Sequence, residues 1–140
     1  MHKIFNLQRK FKVDRKLYAP FLTELNAAIP EAAGKGAEIA FVSDEQIREM
    51  NLAWRKKDAA TDVLSFPFKP DRWEKDDRLG DVAISLEQAA RQAAENGLTL
   101  EIEIKQLILH GILHLCGYDH ETDNGEMNAR ELELREKLGI

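Results

Sequence analysis

The chain has a single cysteine, few prolines and no long apolar run. One cysteine excludes a disulfide scaffold. A membrane-spanning helix needs roughly 18 to 20 consecutive apolar residues. The most apolar run, 107–116, is shorter than that and is interrupted by His110 and His114. Basic charge is also scarce: 20 Lys and Arg stand against 25 Asp and Glu, a formal net charge of -5. A generic basic nucleic-acid coat protein is thereby excluded. Basic residues near the N-terminus are followed by no apolar segment of the secretory kind. With the lone cysteine, this predicts a reducing, cytoplasmic setting and no membrane partner. Cys116 reads as a small apolar packing residue rather than a reactive thiol. What is present is ordinary for a folded domain. The 140 residues are 44% apolar and 32% charged, too apolar for a disordered tail and sufficient for one domain over 1–140.

Local signals predict an α+β domain: a mixed sheet of about four strands packed with about five helices. Residues 2–7 read as a first strand. Asp14 is placed to cap a helix over 15–28, with Leu17, Phe21, Leu22 and Leu25 on one stripe. Residues 38–42 read as a strand, followed by a helix whose start carries Ser43 and Gln46 at capping-box spacing. Residues 63–66 and 79–85 are two further strands. Between them, eight of the ten residues 69–78 are charged, the composition of a solvated loop. Ser85 opens a helix that Gly97 ends, and Thr99 opens an Ile- and Leu-rich helix running to about Leu115. Asp123 starts a final helix ending at Gly139.

Three of the four histidines fall within residues 110–120. Positions i and i+4 of a helix lie roughly 40° apart on one face, so His110 and His114 can aim at one point. Gly117 permits a left-handed exit that can bring His120 back to that point. Three neutral imidazoles leave one position of a tetrahedral zinc ion open, as in catalytic rather than structural sites. One zinc ion per chain is expected, although imidazole also accepts nickel and other divalent ions. The spacing matches the ligands and glycine of the metzincin pattern H-E-x-x-H-x-x-G-x-x-H, giving a zincin-like metal helix. Gly111, however, stands where the peptidases carry their glutamate base. Gly111 either makes room for a sugar-phosphate chain or serves helix packing. Leu107, Leu113 and Leu115 are expected to form a water-poor wall around the ion. Tyr118 and Asp119 are candidates to orient the ligands, with Asp119 alternatively shaping the turn.

Two other segments complete the pattern: Asn51-Leu52-Ala53-Trp54-Arg55-Lys56-Lys57 followed by Thr61-Asp62-Val63-Leu64-Ser65-Phe66-Pro67, and Leu79-Gly80-Asp81-Val82-Ala83-Ile84-Ser85. Arg55 alone among them suits phosphate, since its planar fork can hold two phosphate oxygens. Together with His110 to His120, these segments closely resemble the YbeY family, bacterial endoribonucleases of ribosomal RNA maturation. The resemblance spans essentially the whole chain. It implies a zinc-dependent endoribonuclease that prefers single strands, matures the 3′ end of small-subunit ribosomal RNA and acts in ribosome quality control. It implies His110, His114 and His120 as metal ligands, with Arg55 and His114 as catalytic residues. Either a metal-activated water or the RNA 2′-hydroxyl would be the nucleophile. Of Phe66, Phe68 and Trp73, Trp73 is the better candidate for stacking on unpaired bases, with Phe66 read as core.

Two alternatives remain beside this reading. A metallopeptidase lacks its glutamate, and a non-catalytic zinc-containing ribosome-assembly factor would use the ion only to hold the C-terminal turn. A zinc deaminase lacks the P-C-x-x-C segment. Charge placement bears on partners. Lys3, Arg9, Lys10, Lys12, Arg15 and Lys16 face only Asp14 within residues 1–16, a local +5. A local basic track on an acidic chain predicts weak binding to free RNA, with ribosomal proteins or the ribosome helping to dock the substrate. A monomer is the expected state.

Overall fold

The computed structural model describes residues 2–140. In chain order the elements are β1 (Lys3–Asn6), α1 (Tyr18–Ala28), β2 (Gly36–Val42), α2 (Asp44–Arg55), β3 (Val63–Pro67), β4 (Arg78–Ser85), α3 (Leu86–Asn96), α4 (Leu100–Leu115) and α5 (Glu126–Leu138). The four strands form one mixed sheet in the order β1-β2-β4-β3. β1, β2 and β4 run parallel, while β3 closes one edge antiparallel to β4. The α+β expectation therefore holds, in strand number, helix number and mixed pairing. No helix among the described residues is long and apolar enough to cross a membrane.

Alternation along the strands decides what each face of the sheet packs against. Ala37, Ile39 and Phe41 of β2 and Val82 and Ile84 of β4 enter the main core. That core is completed by Phe21, Leu22 and Leu25 of α1, Leu86 and Ala89 of α3, and most of α4. Val42, Leu64 and Ala83 point the other way and pack with Ile47 of α2 in a smaller cluster. Hence α2 covers one face, and α1, α3 and α4 the other. α4 is buried on most of its circumference, from Glu103 to Leu115. Each of its fully buried Ile and Leu side chains contributes roughly 1.5–3 kcal/mol of apolar transfer.

The caps formed largely as read. Ser43 and Gln46 make a reciprocal capping box, and Thr99 Oγ1 accepts from the Ile102 N–H at 3.2 Å. Two helix starts differ. Asp14 caps a 3-10 turn over Arg15–Leu17, and α1 begins only at Tyr18. Pro20 is the reason: in a helix starting at Arg15 it would owe an N–H to the Lys16 carbonyl, whereas in the first turn none is needed. α5 begins at Glu126 rather than beside Asp123, because Gly125 sits between them at φ 102°. Asp123 still caps it, accepting from the Gly125 and Met127 N–H groups at 2.9 Å. Cys116 is half-buried, and burial pushes its thiol up to about 11, consistent with a packing role.

Candidate metal centre and its cleft

One turn of α4 separates His110 and His114, and their ring centroids lie 4.8 Å apart. After Leu115 the chain leaves the helix through Gly117, at φ 101°. A tight turn follows, in which the Asp119 carbonyl accepts from the Thr122 and Asp123 N–H groups at 3.2 and 3.1 Å. This returns His120 to within 5.5 and 5.3 Å of the other two rings. One nitrogen from each ring lies within 4.8 Å of the others. A tetrahedral ion with metal–nitrogen bonds of about 2.0–2.1 Å sets its nitrogens about 3.3 Å apart, so the donors are spaced on the scale of one shared ion.

Hydrogen bonding prepares two of these rings for coordination. The Nδ1–H of His114 donates to the Tyr118 carbonyl at 2.9 Å, and that of His110 donates to Glu131 Oε1 at 2.7 Å. A carbonyl and a carboxylate only accept, so both rings present an Nε2 lone pair. Burial, reinforced by the neighbouring His110, holds His114 below the ordinary histidine range, against the Tyr118 carbonyl. That shift favours the neutral form of the ring, the form that can offer a lone pair. Burial alone would raise Glu131, but its bond to His110 and the nearby Arg135 hold its carboxyl below the usual range. The donor chemistry fits a divalent ion of the zinc type.

Of the two proposed orienting residues, Tyr118 acts through its backbone, while its phenol donates to Glu31 at 3.3 Å. Asp119 shapes the turn, its carboxylate accepting from the Glu121 N–H at 3.0 Å. Glu131 escaped the sequence reading. The signal was a charged residue on the buried stripe of α5, between Met127 and Leu134.

The histidines line a cleft of about 710 Å³ at the β3 edge of the sheet. Val63, Ser65 and Pro67 of β3 form its floor, and Arg55 and Lys57 come from the end of α2 on the opposite face. Arg55 makes no ion pair among the described residues, leaving its guanidinium available. The expected apolar wall is absent. Leu107, Leu113 and Leu115 are buried in the main core, and the cleft is bounded by Asn51, Thr61, Asp62 and other polar groups. Gly111 serves packing rather than making space at the metal. A Cβ there would lie 2.7 and 3.0 Å from the two methyls of Val82 and 3.3 Å from Ser65 Oγ. A glutamate at this position therefore has no room, which removes the peptidase base on steric grounds.

Trp73 is 82% exposed in the charged loop, beside Arg72, and does not line the cleft. Phe66 packs on the smaller cluster as read, edge-to-face with Trp54 at 6.1 Å. Trp54 is 74% exposed. Both border a second groove, on the α2 face of the sheet, with Phe5, Met50, Glu38 and Asp81. Glu38 and Asp81 are register partners on β2 and β4. Burial, then the hydrogen bond with Glu38, pushes the Asp81 carboxyl up.

A family model described as Endoribonuclease YbeY matches residues 3–139. Endoribonuclease YbeY of Nautilia profundicola is 44% identical over 119 residues, covering 85% of this chain and 84% of that protein. The protein of the same name from Carboxydothermus hydrogenoformans is 40% identical over 143 residues, covering 100% and 99%. The solution structure of TM1509 from Thermotoga maritima superposes with a TM-score of 0.67 at 28% identity, covering 99% of this chain and 89% of that one.

Proposed function

The chain belongs to the YbeY endoribonuclease family, and on that footing we propose that it cleaves single-stranded ribosomal RNA with a divalent ion, zinc first among the candidates, held by His110, His114 and His120. The observation that carries this reading is the convergence of three imidazole nitrogens opposite an unpaired arginine across one cleft. Maturation of the 3′ end of small-subunit ribosomal RNA and ribosome quality control are the proposed roles. The proposed setting is the cytoplasm, with the protein acting as a monomer.

When bound, the ion supplies a Lewis acid for the phosphodiester oxygens. The protein supplies the rest. His110 and His114 offer Nε2 lone pairs already oriented by Glu131 and the Tyr118 carbonyl. Arg55, on the opposite lip, receives the scissile phosphate and offsets the charge that develops on its oxygens. Lys57 adds a second cation along the same wall. Trp73 lies outside the cleft, so recognition there is assigned to the backbone phosphates, through Arg55 and Lys57.

The test uses purified protein, a chelator, and matched single-stranded and duplex RNA. Cleavage that survives complete metal removal overturns the proposal. Arg55→Ala is expected to lower kcat/KM by about 10²–10³ with metal content unchanged, the usual loss for one donor aimed at developing oxyanion charge. Arg55→Lys restores only part of it, because the bidentate fork is lost. Equal rates in Arg55→Ala and wild type would remove Arg55 from the mechanism. Wild type that binds metal yet never cuts RNA would favour the assembly-factor reading.

For partners, the net charge of -5 supports docking through protein as well as RNA. The apolar groove bordered by Trp54, Phe5, Glu38 and Asp81 suits a basic ribosomal protein and repels phosphate. Asp81→Lys is expected to weaken co-sedimentation with small ribosomal subunits about tenfold or more, since like charge meets the partner. Cleavage of a short single-stranded oligonucleotide should stay at the wild-type rate. Undiminished co-sedimentation would move the docking surface elsewhere.

A further inference from the structure

We propose that Glu131, on α5, is a positioning residue of the metal centre: it selects the His110 tautomer that can bind the ion. The inference rests on the metal-dependent reading above and extends it to a side chain outside the ligand triad. Glu131 lies on the buried stripe of α5 between Met127 and Leu134, and is only 8% exposed. An apolar residue at such a position packs at least as well as a charge, and buried ion pairs are often replaced by hydrophobic ones without loss. Core stability therefore does not account for a carboxylate here.

Its contacts do. Oε1 accepts from His110 Nδ1–H at 2.7 Å, and Oε2 accepts from the Arg135 guanidinium at 2.9 Å. Arg135 lies one turn further along the same helix, so the carboxylate is held at both oxygens. A neutral imidazole carries one ring proton, and a fixed acceptor at Nδ1 keeps that proton away from Nε2. It also fixes the ring plane and raises the basicity of the coordinating nitrogen. His114 obtains the same service from the Tyr118 carbonyl. The two ligands on α4 are thus set by different devices, one from the local turn and one from a helix 21 residues on in sequence.

Two measurements test this on the full chain. In the metal-free wild type, long-range proton–nitrogen NMR of the histidine rings should show His110 as the Nδ1–H tautomer. Zinc affinity, read by competition with a chromophoric chelator, should fall about 10- to 100-fold in Glu131→Leu and Glu131→Gln. Glu131→Asp should recover part of that loss, and metal-free melting curves separate lost ligation from lost fold. A His110 ring protonated at Nε2 in the wild type overturns the proposal, even if no variant folds. So does zinc binding by a folded Glu131→Leu variant within twofold of wild type. Failure of the wild type to bind zinc or any other divalent ion is a different result. It removes the metal-dependent reading itself, and Glu131's role with it.

Discussion

His114→Ala is expected to abolish RNA cleavage, lowering kcat/KM by about a thousandfold or more. Three imidazoles are the minimum that holds a catalytic ion while leaving a position for substrate. Removing one lowers metal affinity and tilts the remaining two. A Lewis acid at a phosphodiester contributes several kcal/mol, and 1.36 kcal/mol is tenfold in rate. His114 is the best choice of the three. It is half-buried, lies between the others, and its Nδ1 bond to Tyr118 shapes the turn that carries His120. The fold should survive, because α4 is anchored by Ile104, Ile108, Leu109 and Ile112 on its buried side. Metal per chain, circular dichroism and cleavage of single-stranded RNA are the three measurements. A folded, metal-free variant that still cuts at the wild-type rate would overturn the metal-dependent reading.

Gly80→Ala should strongly destabilise the fold. Gly80 adopts φ 138°, a conformation that side chains rarely accept. A Cβ there collides with the Phe66 carbonyl oxygen and approaches Phe68 N and Pro67 Cα at 2.9 and 3.0 Å. All three are backbone atoms of β3 and its exit, so no rotamer change relieves the clash. The register explains the closeness. Arg78 pairs with Gly36 and Gly80 with Ala37, leaving Leu79 as an extra residue of β4, and on its other side Gly80 pairs with Pro67 of β3. We expect a loss of roughly 3 kcal/mol or more, a large part of the 5–15 kcal/mol typical of a domain. The melting temperature should drop by about 6–12 °C. Gly34→Ala is the control: φ is 76°, but nothing lies within 4 Å of the added Cβ. Its cost should stay near 1 kcal/mol. Similar melting temperatures for the two variants would show that the β3–β4 approach is soft.

The features legible in the sequence were local ones. Ser43, Ser85 and Thr99 cap helices because a hydroxyl needs only the next three residues to act. The three histidines and Gly117 were legible for the same reason, being one helical turn and one exit. What was not legible depends on pairing at a distance. Arg55 and the histidines meet only because β3, placed last in the sheet order, brings α2 and α4 to one edge. Leu107, Leu113 and Leu115 looked like a wall for the ion because nothing local says that α4 is enclosed on nearly every side. Gly111 owes its identity to Val82, 29 residues earlier in sequence and directly beneath it. Glu131 was hidden by its surroundings: a glutamate in an acidic helix draws no notice until the stripe it occupies is known to be buried.

The cleft's position on the rim of the sheet has a further consequence. One lip hangs from α4 above the sheet and the other from α2 below it, with only β3 between them. A trough mounted on a rim receives a polymer sideways. The chain need not be threaded from an end, and nothing in such a geometry counts residues from a terminus. Cutting within a strand, rather than nibbling from its tip, is the mode of attack that a rim-mounted trough favours.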